Sequence, residues 1–135
     1  MPKFNNWNVP FSTICFFEDA LKSHQRVINV SRENDIFFRI ERDDGSIINA
    51  LLLNEYRFGV ASLIKALDEF PKAKYIIIGG NWNESTYDAD KYAEDNNIGI
   101  YDFSEFFGAM NYNIIPLKYV KKDERDNREN TFTGA

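Results

Sequence analysis

The sequence is short of the residues that build covalent and metal chemistry. Its one cysteine, Cys15, excludes an intramolecular disulfide. Flanked by Ile14, Phe16 and Phe17, it reads as a small buried hydrophobe rather than a nucleophile. His24 is the one histidine, too few partners for a zinc site or a Ser-His-Asp arrangement. It falls at the end of a predicted helix, where a cation complements the dipole. Gly79-Gly80-Asn81 follows an apolar run, but neither a Walker pattern nor G-x-G-x-x-G is present, so it reads as a strand-end turn. A basic excess is also missing. Lys and Arg number 16 against 21 Asp and Glu, giving a net charge of −5. Broad phosphate neutralisation is therefore excluded, and contact with nucleic acid would need a local basic patch or a divalent metal. No apolar run approaches the ~20 residues that span a bilayer. Residues 1–8 lack an apolar signal region, so the expectation is a cytoplasmic protein with no membrane partner.

What is present suits one globular domain of 135 residues, able to bury roughly two-thirds of its unfolded surface. Twelve Phe and seven Tyr imply an aromatic-rich core, or rings lining a groove for a base or a partner. Residues 1–12 read as an irregular lead-in punctuated by Pro10, 13–117 as the domain, and 118–135 as a charged, mobile tail.

Apolar residues at 14, 17, 20 and 21 predict a helix over 13–24, capped by Ser12 or Thr13. Val27–Val30 is a short β-branched strand followed by a turn at Arg32-Glu33-Asn34. Asp43-Asp44-Gly45-Ser46 separates apolar segments 35–42 and 47–56, which predicts a hairpin, because Asp-Gly supplies the positive φ of a tight turn. The unbroken run Ala50–Leu53 marks a central strand covered on both faces. Gly59 opens a helix with Val60, Leu63, Ile64 and Leu67 on one stripe, ended by Pro71. A buried strand from Tyr75, a helix from Ser85 or Thr86 to Asn96, a strand over 98–101 and a helical turn over 102–107 complete the order. Strand 47–56, its helix and strand 75–79 form a parallel crossover, and helices then cover both faces of a mixed sheet.

That order resembles the restriction-endonuclease-like nuclease fold, its Mrr-type branch in particular. The likeness covers roughly residues 13–110 and is carried by Phe17-Glu18-Asp19-Ala20-Leu21, Asn34-Asp35-Ile36-Phe37-Phe38, Leu51–Gly59, Tyr75–Gly80 and Asn97-Ile98-Gly99-Ile100-Tyr101-Asp102. It implies a three-layer α/β/α fold with a mixed central sheet. It also implies a site in which an Asp and a Glu hold Mg²⁺ and a neighbouring Lys orients the attacking water. Asp35 stands at the first acid, but the Glu and Lys positions fall on Asn54 and Tyr56. A shift of one residue would offer Leu53 and Glu55 instead and turn every side chain to the other face. Asp35 and Asn54 are therefore the candidate metal ligands. Asp35, Asn54, Glu55 and Tyr56 are the candidate catalytic positions, together with Lys65 and Asp68 on the second helix, where a catalytic residue could have migrated.

For binding, Arg39 and Arg57, with Lys65, could grip a phosphate or an acidic partner if they share a face. Otherwise the arginines at 26, 32, 39, 42 and 57 are solvated charges paired with Glu33, Glu41, Asp43 and Asp44. Trp82, among Asn81, Asn83 and Glu84, is a contact residue or packs over a helix end. The expectation is a degenerate nuclease-like domain that binds nucleic acid or a protein without cutting. The alternatives are an Mg²⁺-dependent DNA endonuclease with a migrated residue, and a small inhibitor using the fold as a scaffold, for example in phage–host conflict. A homodimer is compatible with the fold.

Overall fold

A computed structural model describes residues 7–79 and 83–118. The elements run α1 (Phe11–Lys22), β1 (Val27–Glu33), β2 (Phe37–Arg42), β3 (Ile47–Leu52), β4 (Arg57–Phe58), α2 (Val60–Glu69), β5 (Tyr75–Ile77), β6 (Glu84–Ser85), α3 (Tyr87–Asp95), β7 (Gly99–Tyr101) and α4 (Phe103–Ala109). The fold is α/β: among the described residues, four helices pack with a mixed five-stranded sheet of order β1-β2-β3-β5-β7, and β4 and β6 make a separate two-stranded ribbon. The hairpin of β2 and β3 pairs antiparallel, Ile40 opposite Ile48, while β3 pairs β5 in parallel and β5 pairs β7 in parallel. No described helix is long and apolar enough to cross a membrane.

Successive strand residues face opposite sides of a sheet, and two neighbours in β2 show what covers each side. Phe38 meets Phe17 of α1 edge-on, with centroids 5.0 Å apart. Phe37 stacks on Phe70, the C-cap of α2, at 5.5 Å. Phe17 also contacts Phe103, Phe106 and Phe107, which ties α1 to α4 on its side of the sheet. Contacts between α2 and α3 place that pair together. Residues 50–53 are fully buried, as a central strand requires. The aromatic abundance thus goes largely into the core.

Several local expectations shift. The first helix starts at Phe11 rather than 13, because Pro10 takes the N-cap position and its carbonyl accepts from Thr13 and Ile14; neither Ser12 nor Thr13 caps it. Proline suits that place, where no backbone donor is needed. The lead-in contributes to the core through Trp7 and Val9, 8% and 5% exposed. Cys15 is half-buried rather than buried. The strand expected to stop at Val30 runs to Glu33, and the turn falls on Asn34 and Asp35. The long strand 47–56 divides, β3 ending at Leu52 and β4 resuming at Arg57.

The sharpest correction concerns Arg42, expected as a solvated charge but 1% exposed. Its Nε donates to Ser46 Oγ at 2.8 Å, Nη1 to the carbonyls of Met110 and Tyr112 at 2.9 and 2.6 Å, and Nη2 to the carbonyl of Asn113 at 2.6 Å. Beside it, Arg26 bonds Asp43 at 2.7 Å and the carbonyl of Asn111 at 2.9 Å. The Ser46 hydroxyl and amide, and then Arg42 and Arg26, hold the Asp44 carboxyl below its ordinary range. His24 accepts from the Arg26 amide at Nδ1 and reaches the Phe107 carbonyl through Nε2, so it joins α1 to α4 in addition to ending a helix.

Tyr101 is buried beneath α4 and donates its hydroxyl to the Pro116 carbonyl at 2.7 Å. Burial first, then Tyr75 and Glu105, raises its pKa above the ordinary 10.0. A phenol that stays neutral in the fold but ionises when unfolded stabilises below pH ~10 and loses that contribution as pH rises further. Wild-type stability should therefore fall steeply above pH ~10. Tyr101→Phe should cost about 1 kcal/mol at neutral pH through the lost hydrogen bond and show a shallower alkaline decline in urea unfolding.

Candidate functional site

Because β2 runs antiparallel to β3, its start lies beside the end of β3, and the parallel strands β3, β5 and β7 all end on that same edge. This is where open α/β sheets place their ligands. Asp35, Asn54, Gly79, Asn83 and Asp102 follow or precede strand ends there.

Asp35 has φ +65° and Asn34 φ +50°, so the two form the left-handed turn between β1 and β2. Asn and Asp are the non-glycine residues that tolerate that region, which gives Asp35 a local role independent of chemistry. Its carboxylate accepts from Arg32 Nη1 at 2.9 Å. Arg32 lies opposite Phe38 in the β1–β2 pairing and so faces α1, where its Nε is 3.8 Å from Glu18 Oε2. The three side chains are between 22% and 33% exposed.

Asn54 follows the buried Leu53, whose amide donates to the Ile77 carbonyl at 2.7 Å. The Asn54 side-chain oxygen accepts from Asn83 Nδ2 at 2.9 Å, and the same amide donates to the Ile78 carbonyl. Gly79 sits under this pair with φ +99°, and a Cβ there would lie 2.7 Å from Asn83 Nδ2 and 2.9 Å from Asn54 Oδ1. Gly79→Ala combines a strained φ with loss of that contact. It should lower stability by about 1–3 kcal/mol, measurable by thermal or urea unfolding against Gly45→Ala. Gly45 also has positive φ, but nothing lies within 4 Å of its added Cβ.

Glu55 is half-buried, and Tyr56 projects with 72% exposure. The Tyr56 carbonyl accepts from the Glu84 amide at 3.0 Å at the start of the β4–β6 ribbon. Arg57, 72% exposed, is 4.0 Å from Glu84, and Tyr87, 78% exposed, begins α3 just beyond β6. Lys65 lies over the Trp7 ring, its Nζ 4.8 Å from the centroid. Arg39 is exposed on β2 opposite Asn49, on the Phe37 face, whereas Arg32 is on the other. Asp68 is exposed on α2. Trp82 lies outside the described residues, as does the tail from residue 119. The edge thus gathers Asp35 and Asn54, while Tyr56 and Arg57 stand at the start of the β4–β6 ribbon and Lys65 is held by Trp7.

Among the described residues, no group of three or more His, Cys, Asp or Glu side chains could hold a metal ion. The two candidate ligands are each engaged inside the chain, Asp35 by a guanidinium and Asn54 by an amide. With one carboxylate already neutralised and one uncharged carbonyl, they do not fit a divalent cation, which needs several oxygen donors carrying net negative charge. The residues that sequence reasoning missed are Glu18, Arg32 and Asn83. Asn-Asp at a hairpin turn was a readable signal for the turn, but nothing in the sequence ties Arg32 to Glu18. No protein-family model, curated protein or solved structure matches this chain.

Proposed function

We propose that this chain is a restriction-endonuclease-like domain that acts by binding another protein and does not cut nucleic acid. The reading is supported by the hairpin followed by two parallel crossovers, the order its sequence resemblance implies. The observations that carry it are the exposed ring of Tyr56 at the position where the resemblance would put a catalytic lysine, and the engagement of Asp35 by Arg32 and of Asn54 by Asn83. Tyr56 and Tyr87 flank the β4–β6 ribbon, and exposed tyrosines with a rim of opposite charges, here Arg57 and Glu84, have the make-up of a protein-recognition surface.

Charge favours a protein over a nucleic acid. Arg26, Arg32 and Arg42 are spent on internal acceptors, and the chain carries −5 overall. Arg39 and Arg57 alone would neutralise few phosphates. Two measurements test the reading. Gel shifts with DNA and RNA at about 50 mM salt, where phosphate contacts are strong, should show no salt-sensitive complex. A Tyr56→Ala/Tyr87→Ala bait should lose a partner that the native chain captures from its source cells. Salt-sensitive nucleic-acid binding lost in Arg39→Ala/Arg57→Ala would replace this reading with a nucleic-acid one.

A further inference from the structure

We infer that the outer edge of β1 pairs antiparallel with β1 of a second copy of this chain, joining the two five-stranded sheets about a two-fold axis at Ser31. The inference goes beyond the reading above and is independent of it, since it uses neither the resemblance nor the Tyr56 surface. The sheet has two outer strands, β1 and β7. β7 spans three residues, Gly99–Tyr101, too short a row of donors and acceptors to hold a second chain. β1 spans seven, Val27–Glu33, and pairs on its β2 side alone. Residues of an antiparallel strand turn their N–H and C=O groups alternately toward and away from the neighbour, so about half of these groups in β1 point outward. Among the described residues, β2 alone hydrogen-bonds the backbone of Ile28–Glu33. The edge is also open in space, with a cleft of about 300 Å³ beside it, lined by Lys22 and residues 27–30. An open edge of this length is a template for a further strand.

The strand's own sequence points to a second copy as the occupant. β1 pairs with β2 without interruption from Asn29 to Glu33, the register shift lying between Val27 and Asn29. Ser31 is the middle of that regular stretch. A two-fold axis there sets Asn29 opposite Glu33 of the second copy, twice by symmetry, and Ser31 opposite its own copy. These three side chains are exposed and share one face, opposite Glu41, Arg39 and Phe37 in the β1–β2 pairing, so amide–carboxylate and hydroxyl–hydroxyl hydrogen bonds can form across the new pair. On the other face Val30 meets Arg32 of the second copy. Asp35 and Glu18 hold the Arg32 guanidinium, which leaves its stem to cover Val30, half-buried at the rim of the core. No like charges stand opposite one another in this register. An axis at Arg32 would oppose two guanidiniums, and an axis at Val30 would run the pair into the register shift at Val27.

The test is sedimentation equilibrium together with hydrogen exchange, over protein concentrations from about 1 μM to about 1 mM. The native chain is expected to pass from its 15.8 kDa monomer to twice that mass. The Kd should be on the order of 10⁻⁵ M, the weak range that suits a small interface. Amide exchange in residues 29–33 should slow as the dimer fills. Ser31→Glu places a carboxylate opposite Arg39 of its own chain, so the fold is kept, and against its own copy across the axis. Its dimer should be roughly 10-fold weaker. A native chain that stays monomeric throughout overturns the inference. So does a dimer that Ser31→Glu leaves unchanged, or one that forms without slower exchange in 29–33. If Ser31→Glu does not fold, the exchange series on the native chain decides.

Discussion

Arg42→Met is expected to destabilise the fold by about 3–5 kcal/mol, the range seen when one member of a buried charged network is removed. The guanidinium joins the β2–β3 turn to the segment after α4 through Ser46 and the carbonyls of Met110, Tyr112 and Asn113, beside the more exposed bridge that Arg26 makes from Asp43 to Asn111. The carbonyls of exposed Tyr112 and Asn113 can turn to water, but Met110 is fully buried, so its oxygen would be left without a partner. Arg42→Lys should recover only part of the loss, because one ammonium cannot spread over acceptors that a planar fork reaches from both ends. Urea unfolding gives the magnitude. Hydrogen exchange gives the location: faster exchange at the end of α4 and in residues 110–113 for Arg42→Met, with little change in the β1–β2 turn.

Phe17→Ala should cost about 3–5 kcal/mol, as large-to-small changes at buried aromatic positions do. Phe17 is fully buried and touches the rings of Phe38, Phe103, Phe106 and Phe107, so its removal leaves a cavity between α1, the sheet and α4. Neighbouring Phe16 is 54% exposed and contacts Phe103 alone among the described ring pairs. Phe16→Ala should cost about 1 kcal/mol or less. Equal losses at the two positions would contradict the way α1 is oriented on the sheet.

The elements whose order and pairing were legible are those that periodicity or turn chemistry specifies. Asp-Gly at 44–45 marked the β2–β3 hairpin, and the apolar runs at 50–53 and 75–78 marked the strands that lie inside the sheet. The stripe on α2 and the stop at Pro71 marked that helix. What stayed hidden depends on contacts far apart in the chain. Arg42 has the look of a hairpin charge, and only the return of residues 110–113 over the turn buries it. The link between Arg32 and Glu18 depends on α1 packing over β1.

The candidate site was legible in part. Asp35 and Asn54 lie at neighbouring strand ends, because antiparallel pairing of β2 and β3 brings the start of one to the end of the other, whereas Tyr56 leads into the separate β4–β6 ribbon. The engagement of Asp35 by Arg32 and of Asn54 by Asn83 was not readable, since neither partner belongs to the pattern that pointed to the site. Lys65 sits on the second helix as expected, but whether it could serve the edge depended on the lead-in, which places the Trp7 ring beneath its ammonium.

The claim that this domain binds without cutting is tested most directly by incubating the chain with supercoiled DNA, linear DNA and RNA in the presence of Mg²⁺ or Mn²⁺. Asp35→Asn is the right control, because Asn tolerates the left-handed backbone at that position and Ala would strain it. The account predicts intact substrates with both proteins. Metal-dependent cleavage by the native chain that disappears in Asp35→Asn would contradict it.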